Sequence, residues 1–460
     1  DAYTNRIYEK DRNNNITRRS YSQYGLLMEE ELPSGQKWRY EYDGRGNLLS
    51  KTANTGEAWR YRYDDAGFLA EDSTKLQDSV WKRSVYSRDR YGRITSRTDS
   101  RGNTTVFGYE DRHGHIQTEP SEVTDALGQH TSYEYDAAGR RIRITTGYGT
   151  AEIRYNSQNY PCYTRDGNGN ELRRVYDKMG NLTALFPPEQ GTDGAAWMYR
   201  YDFFDRLIET KDPLGNIWRK ERNLAGAVLR EAAPDGYETR YEYNTDNLKI
   251  RTVYPDGSVE RLFYDGNGNL IKKVMPESYD PEADDGPGLA YEYDAMNRLI
   301  RITGEDGRTR STFTYDPSGN LVKQADGAGN ETFHAYDCAG NRIATWQPAE
   351  QIGGETWYSV TAYEYDSECN KILERRGLEK VRQGEYAENC HELAFAYDGL
   401  NRLVRVSDQT GAKAAYTYDC LGQKTGERFR ISPDVERIVR YRYDPAGNLT
   451  EKAEGIEERF

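Results

Sequence analysis

The chain has 460 residues and a formal net charge of −13, from 63 basic and 76 acidic residues. Only 36% of its residues are apolar, yet it contains 39 tyrosines and 7 tryptophans, and disordered chains are poor in aromatic residues. The opposite charges are interspersed, so the sequence predicts no basic surface for nucleic acid, and no apolar run approaches the ~18 residues of a membrane span. This composition indicates a β-sheet with two partly wet faces.

One short motif recurs along almost the whole chain. A clear copy is Tyr42-Asp43-Gly44-Arg45-Gly46-Asn47-Leu48, and the Asp or Asn of the motif occurs nineteen times between Asp11 and Asp444. The commonest interval is 21 residues, so we expect residues 1–460 to form one continuous repeat array, a fragment of a longer protein without a separate enzymatic domain. The predicted structural sites are the repeat turns at Tyr42, Asp43, Gly46; Tyr63, Asp64, Gly67; Tyr176, Asp177, Gly180; Tyr264, Asp265, Gly268; Tyr315, Asp316, Gly319; Tyr336, Asp337, Gly340; and Tyr443, Asp444, Gly447.

Each copy has the residue types of a type I turn followed by a residue of positive φ. Asp in the first position can accept backbone N–H groups, and a Pro in the second position presets φ. The fourth position is Gly in twelve copies and Asn in five, with Asp205 and Cys369 as the exceptions. Gly and Asn tolerate positive φ best, so the motif predicts a bulged hairpin and not a phosphate-binding loop.

The residues around each turn predict β-strands. Before the turn, Trp38, Tyr40 and Tyr42 alternate with charged residues, which is the period of a strand. Five residues after the Asp an aliphatic residue such as Leu48 recurs, and we expect it to lie opposite the motif tyrosine.

A second turn lies near the middle of each repeat, as at Asp99–Gly102. At Asp235-Gly236 and Asp256-Gly257 the Asp-Gly pair predicts tighter, two-residue turns. The fold class is therefore all-β, with about forty strands in a long antiparallel meander. Open twisted sheets rarely exceed ~10 strands without curling, so the meander should curl into a spiral shell or an open segment of one.

Four longer connections interrupt the meander. They are predicted at Phe186–Trp197, Met275–Gly288, Gln347–Trp357 and Leu378–Leu393. Such insertions are either tolerated surface loops or partner-binding segments, and the sequence leaves both alternatives open.

The recurring Tyr-Asp-x-x-Gly-Asn/Arg-Leu pattern resembles the YD repeat of bacterial Rhs proteins. It is also similar to the repeats of insecticidal toxin-complex B and C subunits and of the animal teneurins. The resemblance implies a cocoon-like β-shell, and in the Rhs and toxin-complex members a shell that encloses a C-terminal toxin. The aspartyl autoprotease core of those families, with its Asp-Pro-x-Gly-Leu ending, is not matched at Asp444-Pro445-Ala446-Gly447-Asn448.

The sequence predicts no catalytic residue, cofactor or metal site. The acidic pairs Asp64-Asp65 and Asp284-Asp285 lie in turns, where adjacent residues do not converge as an acid–base pair. His113 and His115 lie two residues apart, but a metal site would need further ligands from elsewhere.

Two functional hypotheses remain at this point, with an enzyme as a third and least favoured one that turnover of a substrate would support. The first is a non-enzymatic shell segment of a secreted polymorphic toxin used in bacterial competition, with the enclosed toxin or effector as its partner and a secretion-system or shell-capping protein as a further one. The second is a secreted or cell-surface module for carbohydrate binding or adhesion, in which exposed aromatic rows contact glycans. Glycan binding lost on substitution of outward aromatic residues would favour the second hypothesis.

Overall fold

A computed structural model describes residues 5–110, 117–187, 196–419 and 421–458. These ranges contain 39 β-strands and one 3-10 turn at Pro276–Ser278, and no α-helix. Every strand pairs antiparallel with the strand that follows it, so the described strands form one sheet whose first and last strands do not pair with each other. The all-β meander predicted from the sequence is confirmed.

In the first half of the chain the strands are β1 (Tyr8–Lys10), β2 (Ile16–Tyr21), β3 (Leu27–Glu31), β4 (Lys37–Tyr42), β5 (Leu48–Ala53), β6 (Ala58–Tyr63), β7 (Leu69–Lys75), β8 (Trp81–Arg88), β9 (Ile94–Thr98), β10 (Thr104–Gly108), β11 (Glu122–Thr124), β12 (His130–Tyr135), β13 (Arg141–Thr146), β14 (Gly149–Tyr155), β15 (Pro161–Arg165), β16 (Glu171–Tyr176), β17 (Leu182–Phe186), β18 (Trp197–Tyr201), β19 (Leu207–Lys211) and β20 (Ile217–Arg222). In the second half they are β21 (Val228–Ala232), β22 (Glu238–Tyr243), β23 (Lys249–Val253), β24 (Val259–Tyr264), β25 (Leu270–Val274), β26 (Leu289–Tyr293), β27 (Leu299–Thr303), β28 (Thr309–Tyr315), β29 (Leu321–Asp326), β30 (Glu331–Tyr336), β31 (Arg342–Ile352), β32 (Glu355–Tyr365), β33 (Lys371–Gly377), β34 (Cys390–Tyr397), β35 (Leu403–Asp408), β36 (Gly411–Tyr418), β37 (Lys424–Ser432), β38 (Val435–Tyr443) and β39 (Leu449–Glu458).

The register of the hairpins follows the repeat. Tyr42 pairs with Leu48 across a bulge, and Tyr264 pairs with Leu270 in the same way, so the expected tyrosine–aliphatic pairing is present. The bulge lies between the last two residues of the strand that precedes the turn. It bends the strand and increases its local twist, which gives a ribbon built from such hairpins a constant sense of curvature.

The two faces of the sheet differ in chemistry. On one face Trp38 is buried and Tyr40 half-buried, and the Lys51 ammonium lies 4.0 Å from the Trp38 ring centroid. On the other face Arg39 is exposed and forms an ion pair with Glu29 at 3.1 Å. Aromatic packing on one face and exposed ion pairs on the other explain how a chain with so few apolar residues forms an ordered sheet.

The two edges of the ribbon carry different turns. One edge, here called the Tyr-Asp edge, carries the turns that follow even-numbered strands, and the opposite edge carries those that follow odd-numbered strands. In the described part of the chain the Tyr-Asp edge has turns beginning at Ser22, Asp43, Asp64, Asp89, Asp136, Asn156, Asp177, Asp202, Asn223, Asn244, Asp265, Asp294, Asp316, Asp337, Asp366, Asp398, Asp419 and Asp444. The motif thus marks one edge of the sheet.

One predicted copy of the motif does not belong to the Tyr-Asp series. The turn at Asp11 follows β1 and lies on the opposite edge, whereas the turn that belongs to the series begins at Ser22, 21 residues before Asp43. Ser22 replaces the Asp, and its hydroxyl accepts the backbone N–H of Tyr24 at 3.2 Å. A search for Asp or Asn could not detect a copy in which a hydroxyl has the role of the carboxylate.

The structure corrects two kinds of local prediction. Residues 347–357 are not a loop but part of the β31–β32 hairpin, which reverses at Gly353-Gly354 with φ of 61° and 85°. The turns at Asp235-Gly236 and Asp256-Gly257 are not two-residue turns, because each has the same four-residue form as the motif, with Pro in the second position. Most of the connection predicted at Phe186–Trp197 lies outside the described residues.

The ribbon passes itself after 23 strands and forms a spiral. The turn after β1 contacts the turn after β24, and the turns after β7, β9 and β15 contact those after β30, β32 and β38. Because the offset of 23 strands is an odd number, each turn after an odd-numbered strand meets a turn after an even-numbered strand. The opposite edge of the first coil therefore meets the Tyr-Asp edge of the second coil. This line of contact, called the seam below, makes a continuous wall from a single ribbon.

The most buried apolar cluster lies beside one long connection. Residues 378–389 cross the sheet so that Val381 packs with Trp346, Tyr358 and Val360. Trp346 Nε1 donates to the Glu385 carbonyl at 2.7 Å, which fixes the connection to the sheet. No helix in the described ranges is long and apolar enough to cross a membrane.

Candidate functional site

The seven predicted turns share one geometry. In the turn at Asp43, the Asp43 carbonyl accepts the N–H of Gly46, and its carboxylate accepts the N–H groups of Arg45 and Asn47. Hydrogen bonds from Asn47, chiefly from its side-chain amide, hold the pKa of Asp43 below its ordinary value. The φ angles of the seven glycines, Gly46, Gly67, Gly180, Gly268, Gly319, Gly340 and Gly447, lie between 83° and 99°.

The non-glycine residues in the fourth position also adopt positive φ. The five predicted Asn residues, at 14, 159, 247, 297 and 401, have φ between 60° and 71°. Asp205 and Cys369 have φ of 58° and 65°, so the two exceptions in sequence are not exceptions in conformation. The turn therefore dictates the backbone conformation, and Gly or Asn is the residue type that adopts it at the lowest cost.

In five of the seven predicted turns the tyrosine hydroxyl joins the turn to the preceding repeat. Tyr42 donates to the Leu27 carbonyl at 3.0 Å, and Tyr264 donates to the Lys249 carbonyl at 2.8 Å. Equivalent bonds are made by Tyr176, Tyr336 and Tyr443, at 2.9–3.1 Å. The accepting carbonyl belongs to the first residue of the neighbouring strand. No turn joins the two strands at this edge, so their backbone ladder ends here, and the tyrosine hydroxyl provides the carbonyl with a hydrogen bond that the sheet does not.

At the start of the seam, two turns hold each other by reciprocal hydrogen bonds. Asn13 Nδ2 donates to Asp265 at 2.8 Å, and Asn267 Nδ2 donates to Asp11 at 2.8 Å. The Asn13 backbone N–H also donates to Asn267 Oδ1 at 3.1 Å. Burial works to raise the pKa of Asp265, but the hydrogen bonds from Asn269 and Asn13 outweigh it and lower the pKa.

Further along the seam, one carboxylate organises the contact. Glu368 accepts the backbone N–H of Ser100 at 2.8 Å and forms an ion pair with Lys82 at 3.3 Å. Arg101 lies 3.5 Å from Asp366 in the same turn as Glu368. The Glu368 side chain is only 7% exposed, so its charge is held between the coils by partners from the first coil.

Backbone atoms also approach closely across the seam. The Cys338 N–H donates to the Leu76 carbonyl at 3.1 Å, which is a main-chain hydrogen bond between coils. A Cβ atom on Gly167 would lie 2.7 Å from the Pro445 carbonyl oxygen, so only glycine fits at that point.

The residue directly after the motif Asp is uniformly small in the seam but varies in size outside it. In the described seam turns this residue is always small: Gly266, Ala295, Pro317, Cys338, Ser367, Gly399 and Pro445. The Tyr-Asp turns that begin between Ser22 and Asn223 form the free rim, whereas the turn at Asn244 contacts the start of the chain through an ion pair of Asp246 with Arg12 at 2.8 Å. On the free rim the same position includes the large residues Gln23, Arg90, Lys178, Phe203 and Leu224.

The sequence analysis did not detect the seam, although a signal for it exists. Of the predicted turns, those at Asp265, Asp316, Asp337 and Asp444 lie in the seam, and those at Asp43, Asp64 and Asp177 lie on the free rim. Alignment of the nineteen copies on their Asp would have shown that the next residue becomes uniformly small from Gly266 onward.

Where the structure describes them, the other acidic and histidine residues considered in the sequence form no common site. Asp284 and Asp285 are paired with Arg261 at 3.1 Å and with Lys272 at 2.7 Å. Within the described residues no group of three or more His, Cys, Asp and Glu is arranged to hold a metal ion. His113 and His115 lie outside the described residues.

Comparisons with known proteins agree with the repeat architecture. The family model described as RHS Repeat matches residues 21–58, 42–78, 117–151 and 293–332. Double-stranded DNA deaminase toxin A of Burkholderia cenocepacia is 24% identical over 402 residues, which are 82% of this chain and 27% of that protein. Toxin protein Tse5 of Pseudomonas aeruginosa is 29% identical over 183 residues, 34% of this chain and 12% of that protein.

The chain carries RHS repeats and resembles the YD-repeat proteins of the Rhs family. Solved structures share its fold at low sequence identity. The crystal structure of TcdB2-TccC3-Cdc42 matches with a TM-score of 0.53 and 14% identity, over 96% of this chain and 29% of that one. The Photorhabdus luminescens Tc holotoxin pore with a mutated TccC3 matches with a TM-score of 0.55 and 12% identity, over 95% of this chain and 25% of that one. Deaminase toxin A and these two structures match this YD-repeat chain over most of its length. The chain, in turn, spans only about a quarter of the length of each of them.

Proposed function

We propose that this YD-repeat chain is a segment of the wall of a hollow shell that encloses a toxic polypeptide. The observation that carries the proposal is the seam, in which opposite edges of one ribbon interlock after 23 strands. A wall that separates two compartments requires that seal.

The described residues support a role in containment. The seam uses hydrogen bonds to ionised carboxylates, which are stronger than bonds between neutral groups. Asp265 and Glu368 accept such bonds from residues more than 250 positions earlier in the chain. The role is structural, with no catalytic residue or cofactor assigned to the wall.

The relatives support a toxin as the enclosed cargo. Both curated relatives described above carry the word toxin in their names, and this chain aligns with only part of each. The remaining length of such a protein could supply the enclosed polypeptide, with secretion to the outside of the producing cell and a secretion-system or capping partner. Adhesion or glycan binding is the less favoured alternative, since neither relative is named for it.

The test is protease protection of the natural full-length protein. A Cβ at Gly266 would lie 3.2 Å from the Arg12 carbonyl, so Gly266→Leu should wedge the seam open. Gly44 has the same position in its turn on the free rim with nothing within 4 Å, so Gly44→Leu is the matched control. We expect a segment outside residues 1–460 to resist protease in the parent and in Gly44→Leu, and to be cleaved in Gly266→Leu. Equal cleavage of that segment in all three proteins would contradict the proposal.

A further inference from the structure

A cavity of about 570 Å³ lies at the seam, where the first coil meets the second. The first coil contributes residues around the turns after β5 and β7, and the second coil contributes residues around the turns after β28 and β30. These strands lie in the interior of the array, so further repeats on either side would stack against other edges. The volume lies within the ~300–1,000 Å³ of small-molecule sites.

Aromatic rings from both coils form part of the cavity wall. Trp38 and Trp59 belong to the first coil, with ring centroids 5.4 Å apart, and Tyr336 belongs to the second. The Lys51 ammonium lies 4.0 Å from the Trp38 centroid and 5.5 Å from the Trp59 centroid, so this pair of rings already attracts one cation. The Tyr336 hydroxyl donates to the Leu321 carbonyl at 2.9 Å, which holds the third ring in place.

One carboxylate in the wall, that of Glu57, forms no ion pair with another described residue. It accepts Gln36 Nε2 at 3.0 Å and the Thr55 hydroxyl, and Gln36 is only 5% exposed. These two hydrogen bonds fix the orientation of the carboxylate but leave its charge uncompensated. The nineteen described residues that line the cavity include no Lys, Arg or His, although basic and acidic residues are interspersed along the sequence.

Apolar side chains complete the wall beside the rings. Val322 and Ile343 come from the second coil, and Leu76, only 4% exposed, comes from the first. The Leu76 carbonyl accepts the Cys338 N–H at 3.1 Å, so a hydrogen bond between the coils lies at the edge of the cavity. A ligand in the cavity therefore contacts both coils and stabilises the closed seam by binding to it.

We infer that the seam cavity binds an organic cation, meaning a guanidinium or ammonium group on an aliphatic stem. The charged group lies between the Glu57 carboxylate and the rings of Trp59 and Tyr336, where an ionic hydrogen bond and a cation–π contact reinforce each other. The stem packs against Val322 and Ile343. An anion is repelled by Glu57, and a neutral ligand leaves the Glu57 charge uncompensated.

The same cationic group occurs in free small molecules and in the arginine and lysine side chains of polypeptides. The cavity recognises the group and the start of its stem, so both sources fit. The inference rests on the cavity alone and does not require that the shell encloses a toxin.

The test is isothermal titration calorimetry of the 460-residue chain at ~150 mM salt, which screens the long-range attraction of its net charge of −13. The probe is N-acetyl-arginine amide, and N-acetyl-citrulline amide is the matched neutral ligand of the same shape. We expect the arginine derivative to bind with a Kd of about 1 mM or lower and the citrulline derivative to give no measurable heat. This comparison needs only the parent chain.

Glu57→Gln should raise the Kd for the arginine derivative by about 10-fold or more, because it removes the charge and keeps a partner for Gln36. Glu41→Gln is the matched control. Glu41 accepts the Ser50 hydroxyl at 2.8 Å on the other face of the sheet, and its substitution changes the net charge by the same amount. The control should bind like the parent, and circular dichroism should show that all three chains are folded.

Two further measurements locate the ligand and identify its source. Bound ligand should slow hydrogen exchange at the Cys338 amide, and unchanged exchange there would place the ligand outside the seam. Binding by the natural full-length protein as well as by the 460-residue chain assigns the site to a free small cation. Binding by the 460-residue chain alone shows that a side chain of the remaining polypeptide already occupies the cavity.

Three calorimetric outcomes would overturn the inference. A parent chain that gives no heat with up to about 10 mM of the arginine derivative has no such site. Equal affinity for the arginine and citrulline derivatives would show that the cavity does not recognise the charge. Equal weakening by Glu57→Gln and Glu41→Gln would show that the cation responds to the overall charge of the chain and not to this cavity.

Discussion

At the scale of single residues, the repeat is a set of backbone requirements. The fourth position of the turn needs positive φ, and Gly, Asn, Asp205 and Cys369 all adopt it. That requirement is local, so the sequence reveals it even where the residue type varies. The position after the motif Asp has no such backbone constraint. In the seam, the size of its residue is limited by the space that the turns of the neighbouring coil leave.

The turn at Asp43 offers two glycines that separate backbone strain from loss of space. A Cβ would meet nothing within 4 Å at either Gly44 or Gly46, but only Gly46 has positive φ, at 88°. Gly46→Ala should lower the free energy of unfolding by about 1–2 kcal/mol, because an L residue resists this conformation. Gly44→Ala should change it by less than about 0.5 kcal/mol. Urea unfolding of both variants measures the difference, and equal stabilities would show that φ at this position is unimportant.

The tyrosine hydroxyls give a second prediction at the residue scale. Tyr264→Phe removes the bond to the Lys249 carbonyl and should lower the free energy of unfolding by about 0.5–1.5 kcal/mol. Tyr315 is the control, since its ring stacks with Arg298 at 4.7 Å but no hydrogen bond joins its hydroxyl to another described residue. Tyr315→Phe should leave the thermal melting temperature unchanged. A melting temperature lowered equally by both substitutions would mean that the hydroxyl bond contributes nothing specific.

At the scale of elements, the sequence predicted the hairpins but not how their edges meet. Each hairpin is determined by period-two alternation and by the turn residues, which act on partners within about 25 residues in sequence. The pairing of Tyr42 with Leu48 is an example. The seam instead joins Asn13 to Asp265 and Ser100 to Glu368, and polar turn residues look alike whether they face water or another coil. The spiral was expected from twist, but the 23-strand coil depends on the exact curvature of each bulge.

The seam should respond to side-chain size where the free rim does not. A Cβ on Gly399 would lie 3.1 Å from Asn103 Oδ1 of the first coil, so Gly399→Leu should cost about 1–3 kcal/mol through overpacking. It should also speed hydrogen exchange at the Ser100 amide, which bonds Glu368 across the seam. Gly44→Leu, at the same position of a rim turn, should change neither quantity. Unaltered exchange at Ser100 in Gly399→Leu would contradict the proposed packing of the coils.

At the scale of the whole molecule, the same ionisable groups recur in many repeats. Their small individual effects on stability therefore add up to one dependence of folding stability on pH. Hydrogen bonds lower the pKa of turn carboxylates such as Asp43 and Asp444, so the stabilisation that they give is present above pH ~4 and is lost as the pH falls below it. Many tyrosines, in contrast to these carboxylates, have a pKa that burial raises. The chain should therefore be most stable between the two titrations.

The alkaline limit is set by the tyrosines, of which the chain has 39. Burial, followed by the charges of Glu30 and Glu231, raises the pKa of Tyr40 and Tyr241 to about 12 in each case. An unfolded tyrosine ionises near pH ~10, so the stabilisation by the neutral hydroxyls is complete below that pH and is lost as the pH rises from about 10 to 12.

Urea unfolding at a series of pH values, together with tyrosinate absorbance of the folded chain, measures this loss. We expect the free energy of unfolding to fall steeply between pH ~10 and ~12 and the folded tyrosines to ionise later than the unfolded ones. Tyr40→Phe removes one titrating group and should make the fall less steep. A folded chain whose tyrosines all ionise near pH ~10 would show that the aromatic face is as wet as the ionic one, and the division of the sheet into two chemically distinct faces would then be wrong.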